Sequence, residues 1–437
     1  MSSPRMGAAN VLTGTALRLA IAAVGTIAIA GVIGPAFKGV LATLVSISTI
    51  AAVVLSWGLA GATSYYLAAK KWTEAQFNSL SVVWTLLSLV LAYVVFGVAR
   101  RFGGERLLMG LTDLQLATAT GMVLLYQLAG QAVLALRRFK LFAVLSVLSA
   151  AANPAVFFVL VALGTGKLAA AVWAWIFSQA VIAISAQVAM MQFAKWRLER
   201  LEDLDGVAWY AARAGGWDVL NLVNLRLDVL ILRSISTASA TGAYALATQL
   251  TEVIWFVPVA IGTAVFPEIA DGGHERGIWT ARIARLTSAV SIVLALLVGI
   301  AATVLIAVYL PSYAAGIPAV WLLLPGTVVA ATSKVLGNDL NARGLPQALL
   351  WAAVASIVVT VVGDFSLIPI MGSAGAAIVS SAAYSVAALV IVAFFTRVTG
   401  GRPQSILPRP ADLREATGIA IRTAREYLGR VPGVNRP

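Results

Sequence analysis

The chain has 437 residues, 60% of them hydrophobic and 11% charged, with a mean hydropathy of +0.92. A water-soluble domain, in which roughly a quarter of residues are charged, is excluded. The absence of cysteine and a single histidine exclude disulfides, a Cys/His zinc site and a thiol nucleophile, and the net charge of +13 needs an explanation.

Apolar runs of about 20 residues, each long enough to cross hydrocarbon, recur from end to end. They predict helices 1 to 6 near 11–33, 39–67, 78–99, 114–136, 141–163 and 169–192. Helices 7 to 12 follow near 215–235, 242–268, 287–310, 318–342, 347–370 and 373–396. Only Arg5 flanks the first run and no cleavage pattern follows it, so it reads as a retained helix. The charged stretch KWRLERLEDLDG separates the two sets. The organisation expected is a six-helix bundle over 1–194, a linker over 195–214, a second bundle over 215–397 and a basic tail over 398–437.

Ionisable residues inside spans cost about 2.5–3.5 kcal/mol each on insertion scales, so they face a cavity or a partner. Arg18 lies about 12 Å into helix 1 at 1.5 Å per residue, where it either lines a cavity or snorkels. Tyr65 and Tyr66 end helix 2 as interface aromatics, Gln127 and Gln131 share a face of helix 4, and Asn153-Pro154 predicts a kink in helix 5. Helix 7 is the most polar, with Asp218, Asn221, Asn224, Arg226, Asp228 and Arg233. At 100° per residue, Asn221, Asn224 and Asp228 fall within about 60°, while Arg226 and Arg233 lie about 20° apart on nearly the opposite side. Glu252 in helix 8 can pair with Arg226, or Arg226 can serve a cavity. In helix 10, Lys334, Asn338 and Asn341 share one face, and Asp364 is the acid of helix 11.

Basic residues set the orientation, because cytoplasmic loops collect them. With the N-terminus inside, 22 of the 31 Lys and Arg fall in inner segments; only Lys38, Arg100, Arg101, Arg106 and Lys167 fall outside. Both termini are expected in the cytoplasm. The positive charge then belongs to topology and anionic headgroups rather than to nucleic acid. Segments 128–150 and 335–358, like 162–181 and 370–389, match at an offset of about 207 residues, and Gly39 and Gly242 fit nearly the same offset. A duplicated six-helix unit with both halves starting on the same side predicts parallel repeats, with substrate held near the midplane.

Enzymatic readings fail. GTGK at 164–167 is too short for a phosphate-binding loop, and Asp203-Leu204-Asp205 has no nucleotide-binding domain around it. The outer loops are too short for a sugar polymerase or ligase, and His274 lies in a loop without a base or ligand beside it. No catalytic residue, cofactor or metal site is expected.

Three stretches carry a family likeness: 29–68, with a Gly-rich turn into helix 2; 226–270, with an Asp, a short turn, Gly-x-Tyr-x-x-Ala and a terminal Phe-Pro; and 363–385, with Ile-Pro, Gly and Gly-Ala-Ala. The chain resembles the Wzx-like polysaccharide flippases of the multidrug/oligosaccharidyl-lipid/polysaccharide (MOP) exporter superfamily. Asp364 stands where relatives commonly carry Asn, and twelve spans without Arg or Lys inside helices 2 or 8 separate the chain from the lipid II flippase type. The resemblance implies an all-α, MATE-like fold in the cell inner membrane. It also implies alternating-access transfer of an undecaprenyl-diphosphate-linked oligosaccharide to the outer leaflet for polysaccharide export.

The alternative is a multidrug and toxin antiporter for cations. Arg18, Arg226, Arg233, Lys334, Asn338, Gln127 and Gln131 are the expected substrate contacts; Asp228, Glu252 and Asp364 are the candidates for coupling H+ or Na+. Arg18, Arg226 and Lys334 are expected to line one cavity and replace water around a pyrophosphate. Contacts with polysaccharide assembly proteins are a further expectation. The tail should form a surface helix on anionic membrane, with Leu413, Ala416, Ala420, Ala424 and Leu428 on one face.

Overall fold

The computed structural model describes residues 4–192, 204–256, 276–412 and 414–415. Helices run in the order α1 (Pro4–Ser56), α2 (Leu59–Ala68), α3 (Glu74–Ala99), α4 (Asp113–Ala135), α5 (Phe139–Ala162) and α6 (Lys167–Met191). They continue with α7 (Leu204–Ile235), α8 (Ala238–Thr251), α9 (Arg276–Tyr309), α10 (Ile317–Ala342), α11 (Pro346–Met371) and α12 (Ser373–Thr399). Among the described residues nine helices are long and apolar enough to cross a membrane. One of the nine covers Leu17–Ser56 and holds predicted helices 1 and 2 together. The polar α7 and the short α8, whose predicted continuation lies outside the described residues, bring the order to the twelve expected. The protein is an all-α, multi-pass membrane protein.

No loop separates predicted helices 1 and 2. Gly34 takes φ 72° and ψ 172°, Pro35 follows, and the backbone re-enters helix at once. Proline at the start of a helix loses no hydrogen bond, and glycine alone tolerates positive φ without a Cβ clash, so the pair makes a bend without a loop. Lys38 is therefore not an outer-loop residue: it lies inside α1 and is 5% exposed. Predicted helix 2 is also interrupted, at Trp57 and Gly58, both with positive φ. Predicted helix 5 runs through Asn153-Pro154 as the single helix α5.

Capping chemistry fixes two helix starts. Thr73 with Gln76, and Thr112 with Gln115, form reciprocal capping boxes at α3 and α4. Buried hydroxyls are satisfied inside their own helices, as when Thr43 donates to the Gly39 carbonyl at 2.9 Å and Thr327 to that of Leu323 at 2.7 Å. Leu86, Leu87, Val90, Leu91 and Val94 on α3 remain exposed, as a lipid-facing side requires.

The chain divides into two compact units. Unit 1 holds 1–246, 306–316 and 363–376; unit 2 holds 247–305, 317–362 and 377–437. In unit 1, α3 and α6 are joined by an amide staple that the sequence did not reveal. Gln187 Nε2 donates to Asn78 Oδ1 and Ser81 Oγ donates to Gln187 Oε1, both at 3.0 Å. Such side-chain bonds substitute for the hydrophobic drive that is missing between helices in lipid.

In unit 2, several arginines expected to mark the cytoplasmic side are paired. Asp339 on α10, 5% exposed, accepts from Arg276 Nε at 2.8 Å and Arg343 Nε at 2.6 Å. Farther along α9, Arg282 pairs with Glu415, while Arg285 approaches Asp412 at 3.5 Å and donates to the Ser405 carbonyl at 3.4 Å. Ile406 inserts beside Ala281, Ala284, Leu336, Leu340 and Phe395. The tail's first segment is thus strapped to α9, α10 and α12, whereas most of the expected surface helix lies outside the described residues. Asp339→Asn should cost about 3 kcal/mol, because two arginines then lose their shared counter-charge. A fall in the thermal midpoint of purified protein, absent for exposed Arg101→Gln, is the check.

Candidate functional site

The deepest ionisable groups of unit 1 come from three helices. Asp228 on α7 is 3% exposed. Its Oδ1 accepts from the Val229 amide at 2.7 Å, and its Oδ2 accepts from the Tyr244 hydroxyl of α8. Tyr244 is buried outright, so its phenol has spent its one proton on Asp228. Asp364 on α11 is 0% exposed, and neither carboxylate oxygen has a hydrogen-bond partner among the described residues. It lies within electrostatic reach of Asp228. A buried carboxylate without a donor or counter-ion is costly, more so beside a second one. This cluster can take up a proton or a monovalent cation, either of which removes the repulsion.

Sequence reasoning named both acids but passed over Tyr244. The signal was present: Tyr244 is the aromatic of the Gly-x-Tyr-x-x-Ala pattern that opens at Gly242. Gly242 also explains how α8 reaches this position. A Cβ on Gly242 would overlap the Pro35 carbonyl, and one on Gly39 would overlap the carbonyl of Ala238. The bend in α1 and the first turn of α8 therefore meet backbone to backbone, at the two glycines that correspond between the sequence repeats. Against the same two segments, Gly316 abuts the Ala243 backbone and Tyr313 donates to the Ala30 carbonyl at 3.0 Å.

Unit 2 gathers a different set. The Lys334 ammonium on α10 stands 4.3 Å from the Trp255 ring centroid, a cation–π arrangement, and is in electrostatic contact with Glu252. Trp255 and Glu252 share one 3-10 turn, Glu252–Trp255. The indole N–H donates to the Thr327 carbonyl at 3.3 Å, and the ring meets Tyr384 edge to face at 5.8 Å. Lys334 and Asn338, one turn apart, are both uncovered by protein, so the cluster brings an ammonium, an amide and an aromatic ring together on one side of α10. Lys334 and Glu252 were expected to serve different tasks, yet they sit together. Trp255 was missed because an isolated tryptophan in a span reads as core.

The other expected residues lie on α1, α4 and α7. Arg18 is half-buried in the first half of α1, and Arg226 is half-buried on α7. In α4, Gln127 is half-buried, and exposed Gln131 accepts from Ser64 of α2 at 2.9 Å through Oε1. Asn221 is exposed and Asn224 half-buried, with Asn224 Oδ1 unpartnered. Arg233 lies about two turns beyond Arg226, in the last turn of α7, and donates to the Met109 carbonyl at 3.4 Å. Tyr66 is buried against Trp72, and Lys71 stands over the Tyr65 and Tyr66 rings. His274 lies outside the described residues, as does Asp203.

No family model matches the chain, and no curated protein matches it. Among solved structures it is similar to the lipid II flippase MurJ in an inward closed conformation, with a TM-score of 0.71 at 10% identity, covering 96% of this chain and 93% of that one. It is also similar to an inward-facing multidrug resistance MATE transporter of the MOP superfamily (TM-score 0.57, 14% identity, 90% and 94% covered). A third likeness is to a MATE transporter from Vibrio cholerae (TM-score 0.56, 16% identity, 91% and 98% covered). At these identities the likeness speaks to architecture, and across nearly the whole length it says that this chain has the fold of the MOP superfamily transporters.

Proposed function

We propose that this protein is a flippase that carries an undecaprenyl-diphosphate-linked oligosaccharide from the inner to the outer leaflet of the cell inner membrane for polysaccharide export, with both termini cytoplasmic. The observation that carries the reading is the Lys334–Trp255 cluster. An ammonium fixed 4.3 Å from an indole centroid and flanked by Asn338 offers charge to a phosphate and a flat apolar face to a sugar ring. Arg18 and Arg226 add cationic donors from α1 and α7, and arginine grips phosphate oxygens in pairs. Gln127, Gln131 and Arg233 complete the set of proposed substrate contacts. Support from fold comes from MurJ, which is itself described as a lipid II flippase.

Transfer of an anionic headgroup through hydrocarbon needs a driving force, and the chain carries no nucleotide-binding loop. Asp228 and Asp364 are proposed to supply it by binding H+ or Na+ in one state and releasing it in the other. Only a differential affinity between two states can drive such an exchange. Glu252 beside Lys334 is a third candidate, because protonating it would free the ammonium for substrate.

A cation antiporter on the same fold is the second reading, and the same acids favour it. The two diverge in what the cations do. If the substrate is a diphosphate, Lys334→Gln and Arg226→Gln should each lower export at least ten-fold while folded protein in the membrane stays constant. If the substrate is a cationic drug, removing these charges leaves drug efflux unchanged or raises it.

A further inference from the structure

The end of unit 1 that the charge bias assigns to the outside holds two arginines that no described acid neutralises. Arg106 lies on the single helical turn Glu105–Leu108, in the connection between α3 and α4, and its Nη2 donates to the Ile235 carbonyl at 3.4 Å. Arg233, two residues before Ile235 on α7, donates in return to the Met109 carbonyl just past that turn, also at 3.4 Å. Each guanidinium reaches into the other's segment, and the two cations lie within electrostatic reach of one another. Among the described residues neither enters an ion pair, whereas Arg100 in the same connection bonds Asp113 at 2.8 Å.

Packing makes the arrangement costly. Arg233 is 6% exposed, and its Nε is buried with no hydrogen-bond partner. The two carbonyl bonds are long for N–H···O, where about 2.9–3.0 Å is usual, and each guanidinium carries five donors. Most donors thus have no protein partner among the described residues, while two like charges repel. Arginines outside also run against the charge bias that orients the chain. Bracing the two helix ends uses one donor from each guanidinium and leaves the buried Arg233 Nε without a task there.

We propose that Arg106 and Arg233 form a seat for a phosphate-type oxyanion at the outer end of unit 1. A tetrahedral oxyanion can accept a fork of two N–H bonds from each guanidinium and cancel their repulsion at once. Exposed Arg106 supplies the mobile half and buried Arg233 the fixed half. Two sources carry this chemistry: the diphosphate of a transported lipid on reaching the outer side, and the phosphate headgroup of an outer-leaflet lipid. The inference goes beyond the flippase reading and stands without it, because binding is read with no transport.

Full-length protein in neutral detergent, titrated with inorganic pyrophosphate and followed by thermal unfolding, tests it. Wild type should gain a saturable rise in Tm. Arg106→Gln should weaken the apparent affinity at least ten-fold. Arg233→Lys, which keeps the charge but loses the planar fork, should weaken it several-fold. Arg101→Gln, an exposed arginine of the same connection, should bind as wild type. If Arg233→Lys does not fold, Arg106→Gln carries the comparison alone. Repeating the titration in nanodiscs separates the sources: competition by phosphatidylglycerol but not by phosphatidylcholine assigns the seat to an anionic lipid headgroup, and no competition assigns it to a diphosphate arriving by another route. No rise in Tm, a rise that survives Arg106→Gln, or equal loss in Arg101→Gln would overturn the proposal.

Discussion

Asp364→Asn should abolish transport and at the same time make the protein more stable. Asp364 is fully buried with both oxygens unpartnered among the described residues, and Asp228 lies within electrostatic reach. Replacing the carboxylate by an amide of the same shape removes that repulsion and lowers the desolvation penalty, a change of about 1–3 kcal/mol in favour of the folded state. A structural carboxylate gives the opposite sign, since its loss would lower stability together with function. Asp228→Asn should abolish transport as well but without the gain, because Asp228 already accepts hydrogen bonds from Tyr244 and the Val229 amide. Thermal midpoints with and without Na+, set beside transport, decide the matter. A rise in wild-type Tm with Na+ that vanishes in Asp364→Asn identifies the ion; a Na+-independent rise in the variant points to a proton.

The second large effect is expected at the crossing of α1 and α8. Gly242→Ala should destabilise the protein by about 1–3 kcal/mol and Gly39→Ala by a similar amount, because the new methyl group meets backbone carbonyl oxygen rather than a side chain that can turn aside. Close approach of this kind, backbone on backbone, is what glycine permits between membrane helices. The consequence should reach the acid cluster, since Tyr244 lies two residues beyond Gly242 and holds Asp228. Gly242→Ala is therefore expected to impair transport more than Gly166→Ala, whose glycine has an ordinary negative φ and nothing within 4 Å of a would-be Cβ. Equal stability of the Gly242→Ala variant and wild type would mean that the helices part freely here.

Most of the helical order was legible in the sequence, because lipid as a solvent leaves few choices: apolar runs of sufficient length must be helices. The join between predicted helices 1 and 2 is an exception. It looked like a loop because Gly34-Pro35 followed by Lys38 has loop composition, yet the same residues bend a continuous helix and bury the lysine. Charge was legible by cost, which is why Asp228, Asp364, Lys334 and Glu252 stood out against the apolar spans that carry them. Partners were not legible by cost. Tyr244 and Trp255 are apolar enough to pass as core, and only three-dimensional placement shows the phenol on Asp228 and the indole under Lys334. Asp339 was hidden for another reason: it sits among arginines that read as markers of orientation, and its role as their shared counter-charge needs two helices to be brought together.

The central claim is that the chain moves a lipid-linked diphosphate sugar, and reconstitution tests it most directly. Purified protein in proteoliposomes loaded with undecaprenyl-diphosphate-linked oligosaccharide in one leaflet should bring the glycan to the opposite leaflet, where an added glycosidase or lectin detects it. The account predicts time-dependent exposure that responds to an imposed H+ or Na+ gradient and is lost in both Lys334→Gln and Asp364→Asn. Absence of glycan exposure, with gradient-driven export of a cationic dye from the same vesicles that persists in Lys334→Gln, would contradict it and establish a cation antiporter instead.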